Sequence, residues 1–192
     1  MPVIEPAAAV NDGTGTRIVS QSLGSPVVPS TTAIHAAVTD VGTEQTITTS
    51  ITAPDVPRVV SATAGGTAGD IKAIQVTVNG TDASGAVITE ALPAFTVNTA
   101  GTVTGAKAFA TVTSFVIPAH DGTGATTALG HGAALGLGVH LARNTVISAF
   151  FGGVLEGTAP TVTTSATVLS SNTADLDSAS DGSAVIIDFY QS

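Results

Sequence analysis

The feature that most constrains this chain is the rhythm of its β-signals. From Thr46 onward, short runs of β-branched and small residues recur roughly every 8–12 residues, closed by glycine, proline, asparagine or aspartate. Such spacing belongs to an antiparallel sandwich or barrel, and helical periodicity is weak throughout. Residues 58–63 (RVVSAT) read as a strand bounded by Pro57 and by Gly65-Gly66. Residues 71–79 (IKAIQVTVN) alternate: Ile71, Ala73, Gln75, Thr77 and Asn79 take one face, and Lys72, Ile74, Val76 and Val78 the other. The cluster 79–85 (NGTDASG) is turn chemistry and 86–92 (AVITEAL) returns, which predicts a hairpin. Residues 107–117 predict a strand that Pro118 ends, with Phe109, Thr111, Thr113, Phe115 and Ile117 in phase. Residues 125–129 predict a shorter strand, and 144–156 (NTVISAFFGGVLE) two strands around a Gly152-Gly153 turn. Residues 161–169 and 184–190 complete the set, and one helical turn fits between Ala133 and Ala142.

Residues 1–45 differ. They hold Pro2, Pro6, Pro26 and Pro29 among small residues, with little alternation, and read as an extended arm. A strand or two fits around 16–19 and 33–38. The expected fold is therefore all-β: a β-sandwich or Greek-key/jelly-roll-like domain over residues 46–192, preceded by an extended N-terminal arm over residues 1–45.

Charge narrows the partners. Only 10% of the 192 residues are charged, and 14 acidic against 5 basic residues give a net charge of -9. Nucleic-acid binders need lysine and arginine to displace counterions from phosphate, and Arg17, Arg58, Lys72, Lys107 and Arg143 are scattered. The same scarcity argues against docking on anionic membranes. With no cysteine, disulfides, thiolate nucleophiles and cysteine zinc sites are excluded. Residues 1–10 (MPVIEPAAAV) lack the basic start and apolar run of a secretory leader, and no apolar stretch is long enough for a transmembrane helix. A surface so poor in charge suits a protein packed against copies or partners; a threonine-rich secreted β-domain is the other reading.

Catalytic patterns are weak. His35, His120, His131 and His140 are the only histidines. His120-Asp121 could orient a base or bind a metal if a turn made the pair converge, but a locally hydrogen-bonded loop histidine is the simpler reading, and His131 between two glycines is read the same way. No Gly-x-Ser-x-Gly elbow occurs. Residues 175–182 (DLDSASDG) depart from calcium-loop spacing and read as a solvated turn. Asn79-Gly80-Thr81 is a formal glycosylation sequon placed where a hairpin turn belongs. No catalytic residue, cofactor or metal site is expected.

One stretch is more specific. Residues 52–58 (TAPDVPR), 61–66 (SATAGG), 71–78 (IKAIQVTV), 80–85 (GTDASG), 88–90 (ITE), 102–109 (TVTGAKAF) and 112–115 (VTSF) together resemble a domain of structural proteins of tailed bacteriophages, of the Ig-like or decoration type. The resemblance spans residues 52–143, about half of the chain, and rests on turn and strand patterns. It implies a non-enzymatic virion component, first a capsid decoration (cement) protein on the outer head surface that bridges capsomers. Its implied partners are the major capsid protein and copies of itself, a trimer being the first expectation, with neither nucleic acid nor membrane. A tail tube, tail fibre or baseplate protein is the alternative, and an extracellular β-sandwich binding module the second. The candidate assembly residues are Phe150 and Phe151, for which a core position is the competing reading, together with Arg58 and Arg143.

Overall fold

The computed structural model describes residues 17–191. It is all-β, with antiparallel pairing throughout three sheets. Sheet A joins β1 (Arg17–Gly24), β14 (Val185–Gln191), β10 (Val146–Phe151) and β11 (Val154–Leu155) in that order. Sheet B runs β12 (Thr161–Thr163), β13 (Thr173–Asp175), β9 (Ala125–Gly136), β4 (Arg58–Gly66) and β7 (Gly101–Phe109), and β2 (Ser30–Thr39) also pairs with β9. Sheet C runs β3 (Gln45–Ile47), β8 (Thr111–Ile117), β5 (Thr77–Thr81) and β6 (Val87–Ala91).

The stretch read as an arm is partly domain. β1 pairs with the C-terminal β14, and β2 lies along β9, because each supplies a buried apolar side chain, Leu23 and Ile34. Residues 1–16 of that stretch lie outside the described residues.

Two apolar cores form. One packs Ile34, Val60, Ala62 and Leu129 of sheet B against Val78, Phe115 and Ile117 of sheet C. The other packs Leu135 and Ala174 of sheet B against Leu23, Val185, Ile187 and Phe189 of sheet A. β9 runs through both, and between Leu129 and Leu135 it carries His131 and the bulged residues 132–134.

Local differences from the sequence reading have physical causes. The 71–79 strand starts only at Thr77, because the Ile74 amide donates back to the Lys72 carbonyl and breaks the alternation. Ile71, Ile74, Val76 and Val78 are then all buried. The hairpin survives, but its turn begins at Asp82, whose carboxylate accepts the amides of Ser84 and Ala86. The sequon Asn79-Gly80-Thr81 is therefore strand, not turn. Residues 107–117 divide at Ala110, whose amide bonds Thr81; β7 and β8 go to different sheets, and Val112 turns inward in place of Thr111 and Thr113. Residues 133–136 extend β9 instead of forming a helical turn.

Candidate interaction face

Sheet A has one face on the second core and one open to solvent. Alternation fixes which side chains point outward. Cross-strand register places Ile18 beside Tyr190. The next row sets Ser20, Asp188 and Ser148 side by side, and the row after that Ser22, Ile186, Phe150 and Leu155. Ile18 is 61% exposed, Leu155 58%, Tyr190 47% and Ile186 38%. Asp188 is the one ionisable carboxylate in these rows, and it is occupied: Ser20 Oγ donates to Oδ1 and Ser148 Oγ to Oδ2. The face thus carries five large apolar side chains around one hydrogen-bonded carboxylate. Monomers seldom gather this many large exposed apolar side chains on one sheet face, here in two clusters on either side of the Ser20, Asp188 and Ser148 row, unless the face is used.

The four expected assembly residues part company here. Phe150 belongs to this face, half-buried between Ile186 and Leu155. Phe151, one residue on, points to the other side and packs on the second core. Arg143 is exposed in the loop between β9 and β10. Arg58 is corrected: its side chain is fully buried and cannot touch a partner.

Arg58 instead closes the junction between the cores. Its Nε donates to the Gly132 carbonyl at 2.8 Å, and Nη1 donates to Val27 O and to Asp55 Oδ1, each at 3.0 Å. Asp55 Oδ2 accepts the Val27 amide at 2.6 Å, so the ion pair holds both the amide and the carbonyl of Val27, in the loop between β1 and β2. Burial pushes the Asp55 carboxyl upward, but the Val27 amide, the Arg58 hydrogen bond and charge, and His131 outweigh it and hold it below the usual range. His131 lies alongside, Nε2 3.9 Å from Asp55 Oδ1. Burial and the Arg58 charge lower its pKa against the pull of Asp55, so it is held neutral.

His120 forms a second buried polar unit. Its Nε2 donates to Thr127 Oγ1 at 3.0 Å while Nδ1 accepts the Lys72 amide at 3.2 Å, which fixes a neutral tautomer. Its amide donates to Asp40, and its ring stacks on Phe95. Burial lowers its pKa, with Asp40 and Asp121 pulling weakly the other way. Both ring nitrogens are thus committed to holding loops. His120 and Asp121 do not converge on a common site: the Asp121 carboxylate turns away to Lys72 Nζ at 3.2 Å.

A groove of about 550 Å3 crosses sheet B, floored by Val59 and walled by Thr104, Ala133, Thr161, Thr163 and Asp175. Two bulges open it. β4 advances from Arg58 to Val60 while β9 goes from Leu135 to His131, and from Val59 to Ser61 while β7 goes from Ala108 to Thr104. Arg58 binds the first bulge, and the Glu90 carboxylate the second through the Ala106 and Lys107 amides. No nucleophile–base pair lines the groove. Among the described residues no three His, Asp or Glu gather as metal ligands, and Asp181 is used by its own turn, accepting the Ser183 amide.

The sequence reading missed that one tyrosine and one phenylalanine would share an outer face with three aliphatic residues. The signal was there: 184–190 and 144–151 are apolar in both phases of alternation, more than a one-sided strand needs. No family model, curated protein or solved structure matches the chain.

Proposed function

We propose that this protein is a non-catalytic structural component of a tailed-phage virion. In this reading it is a capsid decoration (cement) protein that binds the outer head surface and bridges capsomers. The observation that supports it is the apolar cluster on the outer face of sheet A, where Phe150 sits between Ile186 and Leu155 and the neighbouring Asp188 is hydrogen-bonded within the sheet. Three strands about 4.8 Å apart and six to eight residues long, with the two-residue β11 beside them, make a face of roughly 300–400 Å2. A stable two-body interface buries about 800 Å2 a side. One such face holds a partner weakly, and a regular shell that offers many attachment points adds weak contacts into firm attachment. Phe150 is the anchor, since an aromatic ring flanked by aliphatic side chains carries much of the energy of such a contact.

Cosedimentation of the purified protein with purified shells tests this. Phe150→Ser should weaken shell binding by about tenfold or more. Val97→Ser, which alters an exposed side chain in the loop before β7, should bind as the parent does. Equal binding by Phe150→Ser, or no binding by the parent, would overturn the reading.

A further inference from the structure

The outer rows of sheet A end at β1, and β1 is an open edge. It has β14 on one side and no strand on the other among the described residues. Proteins that stay monomeric guard long edge strands with proline, lysine, a bulge or shortness. The other edges are guarded in such ways: β11, β12 and β3 have two or three residues, β6 has five with Glu90 among them, β2 carries two register shifts along its ten residues, and β7 is bulged and bound by Glu90. β1 has eight residues, no proline, one charge at its first position, and a register shift only at its far end, between Ser22 and Gly24. A second observation falls on the same strand. Gln21, midway along β1, buries its Oε1 with no donor.

We infer that β1 pairs antiparallel with β1 of a second copy about a two-fold axis, joining two A sheets into one continuous sheet. Continuity of the faces restricts the register. A two-fold perpendicular to the sheet must pass through a residue, so that outward side chains meet outward ones. Centring it on Gln21 sets Gln21 against Gln21, and turning the two side chains away from Gly138 of their own chains lets each orphaned Oε1 accept from the other amide. Val19 then faces Leu23, continuing the apolar inner layer, and Ser20 faces Ser22 on the outer side. Edge pairing alone buries less than a standard interface, so a dimer that dissociates in the micromolar range is expected. The inference rests on sheet A being the association side of the molecule, yet it names a different surface, the edge, and a specific occupant.

The test uses the full chain. Sedimentation and light scattering from about 1 to 100 μM should show the mass double with concentration. The chain has no cysteine, so a single introduced thiol can link only to another copy. Gln21→Cys should crosslink to a dimer by oxidation or with a short bismaleimide, and Val154→Cys on the opposite edge should not. Ser20→Lys with Ser22→Lys, both at exposed positions, should abolish the dimer by setting like charges opposite one another while leaving the unfolding midpoint nearly unchanged. A monomer at all concentrations, or a dimer indifferent to the lysines and without the Gln21→Cys link, would overturn the inference. So would a dimer that forms only after residues 1–16 are deleted, since the chain's own N-terminus would then hold the edge. A dimer that ignores shells would leave this inference standing and remove the decoration reading, and a shell-binding monomer would do the reverse.

Discussion

Arg58 shows how much one side chain decides. Read in sequence it is a cation at the start of a strand, and surface placement is the ordinary expectation for arginine. In the fold it lies at the meeting point of two cores, where the Gly132 and Val27 carbonyls and the Asp55 carboxylate take over Nε and Nη1 while Nη2 stays buried without a partner. The clue in the sequence was Asp55 three residues earlier, and that spacing does not reveal burial. Arg58→Met should cost about 1–3 kcal/mol, because the partly exposed Asp55 loses its cation and the Gly132 and Val27 carbonyls their donor; urea unfolding reads this directly. The neighbouring histidine gives a pH prediction. His131 and His120 are both held neutral, with pKa values below the ordinary value of about 6.5. Above that pH neither the folded nor the unfolded chain protonates them. As pH falls below about 6.5 the unfolded chain takes up protons that the folded chain refuses, so stability drops. Asp55 acts at lower pH: its depressed pKa gives stability that is present above about 4 and lost as pH falls through the folded value. Unfolding midpoints at pH 7.5 and 5.5 should differ in the parent and differ less in His120→Gln/His131→Gln.

At the scale of elements, strand existence was legible and strand partnership was not. The hairpin of β5 and β6, the Gly152-Gly153 turn and the C-terminal β14 all follow from local chemistry that the sequence displays. The break at Ala110 does not, because it depends on Thr81 accepting its amide from another strand. β9 is longer than its sequence suggested, since Gly130 and Gly132 dilute the β-signal. Those glycines are there for close approach. A Cβ on Gly130 would lie 2.0 Å from the Ser30 carbonyl oxygen, a backbone atom of β2 that cannot swing aside. Gly130→Ala should therefore push β2 off β9 and destabilise by about 1–3 kcal/mol, with amide exchange accelerating first in β2. Phe150 and Phe151 also separate only at this level. The hairpin predicts that one of the pair faces outward, and register against β14 decides that it is Phe150.

For the whole molecule, the shortage of charge noted in the sequence acquires a location. All three sheets use threonine, serine and small residues on their open sides, but only the open face of sheet A gathers Ile18, Ile186, Phe150, Leu155 and Tyr190. Because that contact surface carries one carboxylate and no cation, shell binding should change little between about 0.05 and 0.5 M salt, unlike an association steered by many charges, which screening weakens strongly. What the sequence could not display is which face stays open, since that depends on which sheets cover one another. The measurement that tests the central claim most directly is a cryo-electron microscopy reconstruction of the virion. The account predicts density for this chain on the outer head surface, bridging capsomers, with Phe150, Ile186 and Leu155 against the shell. Density in the tail, sheet A turned toward solvent, or no density for the chain would contradict it.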